Sequence, residues 1–289
     1  MLQELWLRAL ATGLQRDHGH VVNHLASVDV RFVYYGDLVN AMLENSDEEV
    51  YDEALDVADR EAALNRFAQL DRSKRFRRVY YEQLPGKNSI KEFLTDIGAP
   101  LASRIGLGSH FWRRIAPELG LYMRGEAFAN ALDDRVGKAL RRAADGDAQT
   151  LIVSHCLGSV VVYNALWDLA YGEAPSQTKF HTWITLGSPL ADETVKKHLR
   201  GADAPDAQRY PNNLLNWYNL AAEDDYMCHD ETVANDFAAM LDRHLLSQLV
   251  DYRIYNLSVR YGRSNPHSSV GYLAHPRVSE LLANWLTKG

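Results

Sequence analysis

The run Leu151-Ile152-Val153-Ser154-His155-Cys156-Leu157-Gly158-Ser159-Val160-Val161-Val162-Tyr163 is a short apolar segment, a turn of small residues and the start of a helix. Leu151 to Val153 show no polar alternation, the pattern of a central parallel strand covered on both faces. From Val160 onward, Val161, Ala165, Leu166 and Leu169 recur at helical spacing, so a helix is expected to about Tyr171. Between the two, Ser154-x-Cys156-x-Gly158 sets a nucleophilic side chain between two small residues. A nucleophile at a strand-to-helix corner occupies a strained backbone conformation with its side chain at the tip. The residues two before and two after it crowd together, and small side chains are expected there.

Working outward, Gly125 to Ala144 forms a helix with Phe128, Leu132, Val136 and Leu140 at intervals of four. Downstream, Lys179–Leu186 is a strand ending in Gly187-Ser188-Pro189-Leu190, and Leu214–Ala221 is another ending in Glu223-Asp224-Asp225. A helix from about Glu231 to Leu249 is expected from Val233, Phe237, Leu241 and Leu245. Asp251–Val259 alternates as a further strand, Gly262 to Pro266 leads to His267, and Pro276–Leu286 closes as a helix. Upstream, residues 2–16 form an amphipathic helix, and Asp29–Tyr35 is expected as a strand closed by Gly36-Asp37. A charged helix follows from about Glu48 to Gln69. The basic run Arg72–Arg78 is a solvated helix end or, more sharply, a site for an anionic headgroup or phosphate. Residues 84–120 are expected to be irregular and helical material, serving as a lid or as a plain connection. The alternation of strands and helices predicts the α/β class: a mostly parallel, doubly wound sheet flanked by helices. A single domain, 1–289, is expected, with a helical insertion or cap at about 40–120.

A chain of 289 residues with 46% hydrophobic and 24% charged residues has the balance of a soluble globular domain. The formal net charge of −7 argues against a general nucleic-acid binder. Two cysteines exclude a disulfide framework. No apolar run reaches the roughly 18–20 residues of a membrane span. Met1–Arg8 lacks a basic region followed by an apolar one, so no signal peptide is expected and a cytoplasmic location is the default.

Three candidates for chemistry follow three of the expected strands: Cys156, the Asp224/Asp225 pair and His267. Open parallel sheets carry their sites at this carboxyl edge. The chain order of nucleophile, acid and histidine resembles that of the α/β-hydrolase superfamily, as does the corner around Cys156. Gly187-Ser188-Pro189-Leu190 and the segment His267 to Pro276 resemble lipase- and esterase-like members of that fold. The resemblance covers about 120–289 well and the first hundred residues poorly. It departs from the family's G-x-S-x-G elbow twice, with Ser154 for the first glycine and Cys156 for the serine.

That resemblance implies an acyl hydrolase of a carboxylic ester or thioester, without cofactor or metal, acting on a small-molecule or lipid-like acyl substrate. Cys156 would be the nucleophile, His267 the general base, and Asp225 the orienting acid, with Asp224 as the alternative. The Leu157 backbone amide would be one oxyanion donor. A second donor is expected on a strand ahead of the first helix. The chain opens in what reads as that helix, so this strand is expected to be missing. His155 is expected to point away from the nucleophile, and His275 to pack or cap. The rival reading is a non-catalytic α/β-hydrolase-like binding protein. Cys228-His229-Asp230 lacks a second ligand pair for zinc, and no glycine-rich phosphate loop is present.

Overall fold

The computed structural model describes residues 2–38, 53–71, 76–85, 117–124, 127–146, 148–228 and 230–288. In chain order the helices and strands are α1 (Leu2–His18), α2 (Glu53–Ala68), α3 (Arg78–Tyr81), α4 (Pro117–Tyr122), α5 (Ala127–Ala144), β1 (Leu151–His155), α6 (Leu157–Tyr171), β2 (Phe180–Leu186), α7 (Glu193–His198), β3 (Leu214–Ala222), α8 (Ala238–Asp242), β4 (Gln248–Ile254), β5 (Val259–Arg260), β6 (Arg263–Ser264), α9 (Ser269–Leu273) and α10 (Pro276–Lys288). Strands β1-β2-β3-β4 form one parallel sheet in that order, and β5 and β6 pair as a small antiparallel ribbon. Helices cover both faces of the sheet, which makes the architecture α/β.

On one face α6 lies against Ile152, Trp183, Trp217 and Leu249, with α5 packed outside it. Leu157, Val160, Val161, Val162, Tyr163, Ala165, Leu166 and Leu169 of α6 are all buried, so this helix is apolar nearly all round, as a fully enclosed one must be. The other face presents Ile184, Leu186, Leu220, Ala222 and Ile254 to α1, α2, α9 and α10. There α1 and α10 approach closely at Gly13, where an added β carbon would lie 2.4 Å from Ser279 Oγ. Arg16 fastens this layer. It forms a two-pronged ion pair with buried Asp17 at 2.8 and 2.7 Å and donates to the carbonyls of Phe67 and Ala274 at 3.0 and 2.8 Å.

A polar row crosses the sheet in register: Ser154, Thr185, Asn219 and Asp251 are successive neighbours on β1 to β4. Thr185 donates to Asn219 at 2.8 Å, and Asn219 donates to Asp251 at 2.9 Å. Asp251 in turn accepts the amides of Val233 and Ala234 at 3.0 and 2.9 Å. The indoles of Trp183 and Trp217 stack 4.7 Å apart beside this row, each donating into it, to Ser154 at 2.9 Å and Thr185 at 3.0 Å.

Four expectations are corrected here. Asp29–Tyr35 is not a strand; it is irregular, and the Tyr34 carbonyl goes to Arg135 instead of a neighbouring strand. β1 is at one end of the four-strand sheet, with burial that alternates, so it is not a central strand covered evenly. The helix expected over Glu231–Leu249 shrinks to α8. Asp251 captures the amides of Val233 and Ala234, and His244, at φ 57°, turns the chain out of the helix. The strand expected at Asp251–Val259 begins at Gln248 and ends at Ile254, and Val259 belongs to the separate ribbon. Most of the expected insertion at 40–120, including the lid reading and Arg72 to Arg75, lies outside the described residues. Arg78 of the basic run, the first residue of α3, is exposed and paired with Glu82 at 2.6 Å. Among the described residues no helix is long and apolar enough to cross a membrane.

Candidate functional site

Four connections at the carboxyl ends of the parallel strands converge: Cys156 follows β1, Gly187 follows β2, Asp225 follows β3, and His267 lies beyond β4. Cys156 alone spans the corner between β1 and α6, at φ 55° and ψ −132°. Non-glycine residues rarely adopt such angles, at a cost of about 1–3 kcal/mol. The corner is held by the Cys156 amide donating to the Leu186 carbonyl at 3.1 Å and by the Ser159 amide donating to the Cys156 carbonyl at 2.9 Å. Ser154, the departure from glycine, has a use of its own: its hydroxyl accepts the Trp183 indole and lies 3.0 Å from the Ser159 hydroxyl. At Gly158 an added β carbon would make only ordinary contacts, 3.5 Å to Tyr35 Oη and 4.0 Å to Ser154 Cβ. Crowding at that position is therefore milder than the spacing implies. The Leu157 amide opens α6 and so has no acceptor within the helix.

Asp224, at φ 62°, turns the chain so that Asp225 enters the interior. Its carboxylate is fully buried and accepts His267 Nδ1 at 2.9 and 3.0 Å. The Met227 amide donates to Oδ1 at 2.9 Å and the Tyr272 hydroxyl to Oδ2 at 2.6 Å. Tyr272 itself accepts the Ala222 amide at 2.8 Å. Asp224 turns elsewhere and accepts the Tyr81 hydroxyl at 3.2 Å. Of the two neighbouring acids, Asp225 is the one against the imidazole. Gly187, at φ 52°, forms the floor under this pair. A β carbon there would lie 2.7 Å from Asp225 Oδ2 and 3.2 Å from His267 Nδ1, so glycine is demanded by both conformation and space.

His155 lies against His267. Its ring lies 4.5 Å from that of His267, tilted by 34°, and Nε2 is 3.0 Å from the His267 carbonyl oxygen. Burial, with the charge of His267, lowers its pKa to about 3, so the ring is neutral and its Nε2–H donates to that carbonyl. His267 behaves in the opposite way. Burial works against its charge, but the Asp225 carboxylate, then Cys156 and Tyr226, hold it well above the ordinary imidazole value. Asp225 is drawn below the usual carboxylate range despite burial, by the charge and hydrogen bond of His267 and by Tyr272. The Tyr226 ring lies 5.1 Å from His267, and burial pushes its hydroxyl up to about 12. Glu118, in the first turn of α4, is raised by burial and pulled back by the charge of His267.

A pocket of about 210 Å³ borders His155, Tyr226 and His267 and is edged by Arg60, Arg260 and Asn265. Cys228 is buried, with its sulfur 3.7 Å from the Tyr272 hydroxyl. Among the described residues no group of three or more metal-binding side chains is assembled. His275 caps, as expected: its Nδ1 accepts the Arg277 amide at 3.1 Å. The sequence marks Gly187 as a strand end without giving it a role in the site, and it gives none to Tyr272 or to the contact of His155 with His267. A glycine ending a strand before Ser-Pro was the available signal for the first; the other two have none along the chain. No family model, no curated protein and no solved structure matches this chain.

Proposed function

We propose that this protein is an acyl hydrolase of carboxylic esters or thioesters that works through a thiol acyl-enzyme. The observation that carries the reading is a strained Cys156 at a strand-to-helix corner together with an imidazole already aligned by a buried carboxylate. Strain of this kind persists where the surrounding structure enforces it, and it clusters at reactive residues. The imidazolium that Asp225 sustains interacts electrostatically with Cys156 and holds the proton that the leaving group needs.

In the first half-reaction the Cys156 sulfur attacks the acyl carbon while the carbonyl oxygen takes up the negative charge. The Leu157 amide stabilises that oxyanion. Collapse of the tetrahedral intermediate breaks the bond to the leaving oxygen or sulfur, which receives the proton from His267 Nε2. Water then gives a proton to His267 and its oxygen attacks the thioester; carboxylate leaves and Cys156 is regenerated. Because the pocket borders His267, the residue that protonates the leaving group, and is edged by Arg60, Arg260 and Asn265, it suits a polar leaving-group half better than an acyl chain.

The experiment is a burst assay with p-nitrophenyl acetate on the wild type and Cys156→Ala. A burst matching the protein concentration is expected for the wild type and none for the variant. Equal release by both proteins would overturn the reading. A wild type that shows no burst, with Cys156 no more reactive than free cysteine, would favour a non-catalytic binding protein.

A further inference from the structure

Acyl transfer through an oxyanion is served by more than one donor, and the Leu157 amide is only one. The segment Asp29–Tyr35, which forms no strand, brings Tyr35 to the corner instead. Arg135 of α5 clamps it on both sides of Tyr35. One guanidinium nitrogen donates to the Tyr34 carbonyl at 2.6 Å, and the two together hold the Asp37 carboxylate at 2.6 and 3.0 Å. Between these anchors Tyr35 turns inward and packs, with Cys156, against the core around α6. Its hydroxyl lies over the amino end of α6, 3.5 Å from where a β carbon at Gly158 would stand. The Gly158 amide faces the phenol oxygen, while burial and the nearby Cys156 sulfur keep the phenol protonated far into the alkaline range. A phenol oxygen that accepts from an amide still has its own proton to give.

We propose that Tyr35 is the second oxyanion donor, its O–H supplementing the Leu157 amide as the acyl carbonyl of the substrate becomes tetrahedral. This rests on the acyl-transfer reading above. The strap clamped by Arg135 thus does the work expected of a strand-borne backbone amide, using a side chain.

The test compares two electrophiles on Cys156. Iodoacetamide alkylates sulfur by displacement at a saturated carbon and forms no oxyanion, whereas p-nitrophenyl acetate must pass through one. In Tyr35→Phe the acylation burst is expected to slow by about 10²-fold, the usual effect of losing one such donor, while alkylation keeps the wild-type rate. Equal slowing of both reactions, or of neither, overturns the proposal. Arg135→Ala, which leaves the phenol but frees its strap, is expected to show the same selectivity to a smaller degree. It carries the test if Tyr35→Phe fails to fold, and slowing of both reactions or neither in Arg135→Ala then overturns the proposal. Failure of the underlying reading looks different: the wild type itself shows no burst, and His267→Ala changes neither rate.

Discussion

Two buried hydrogen-bonded chains lie a few residues apart in this sheet, and they are wired differently. The row Ser154-Thr185-Asn219-Asp251 crosses the sheet just inside the strand ends, at the penultimate residues of β1 and β2. Its one carboxylate is met by the Asn219 side chain and two backbone amides, so the row is closed on fixed, neutral donors. The cluster His155-His267-Asp225-Tyr272 sits at the carboxyl ends of the same strands. Asp225 is met by Tyr272, Met227 and His267, but the imidazole spends only Nδ1 on it. A buried polar group costs about 1–3 kcal/mol when left unpaired, so both chains must be complete to be tolerated. The first is complete with nothing left over. The second keeps one ring nitrogen, and a charge, in reserve.

The sharpest way to break this contrast is Asp225→Asn. The amide cannot sustain the imidazolium, and hydrolysis of p-nitrophenyl acetate is expected to fall by about 10²-fold or more. His267 is held well above its ordinary value chiefly by Asp225, so its proton is present at neutral pH and is lost only as the pH rises through that raised value. The alkaline limb of kcat/KM should accordingly move down towards the ordinary imidazole range in the variant. An unmoved limb would dissociate the carboxylate from the chemistry.

Thr185→Val probes the other chain. It removes the acceptor for the Trp217 indole and the donor to Asn219, both buried. A loss of about 3 kcal/mol in urea unfolding is expected, with the alkylation rate of Cys156 unchanged. A change in that rate would mean that the two chains are coupled after all.

The most gradual effect, spread over the acid range, concerns His275. Burial, aided by Arg16 and Arg277, lowers its pKa to about 3, so between about 6.5 and 3 the unfolded chain binds a proton that the folded one refuses. Stability therefore falls as the pH drops through that window, by about 1.4 kcal/mol per pH unit for each such group. His155 contributes with the same sign. The contribution of His267, whose value is raised, stays intact below about 6.5 and disappears on the alkaline side. His275→Gln, whose amide oxygen can still accept the Arg277 amide, should flatten the acid slope by one group; an identical slope would refute the assignment.

What the chain disclosed follows from what is local. β1, β2, β3 and α6 were legible because each carries a run of apolar residues bounded by turn residues, and the corner because Cys156 stands between small residues. Cys156, the Asp224/Asp225 pair and His267 stood out because each follows an expected strand, while the turn at Asp224 that separates the two acids is seen only in the structure. Asp29–Tyr35 misled because β-branched and aromatic residues also suit a strap, and only a guanidinium 98 residues away, Arg135 on Asp37, determines which it becomes. The region 231–249 misled because helical spacing says nothing of Asp251, whose carboxylate takes the amides that a first turn would have used. The imidazole stacking of His155, the hydroxyl of Tyr272 and the floor at Gly187 are properties of convergence, invisible until the strand ends meet.

The Trp183–Trp217 stack carries a consequence of another sort. Two indoles this close and nearly parallel share their electronic excitation, so their circular dichroism should be a paired signal of opposite signs that neither ring yields alone. That couplet would vanish the moment β2 and β3 part, furnishing an optical gauge of whether the sheet is whole, independent of any reagent at its edge.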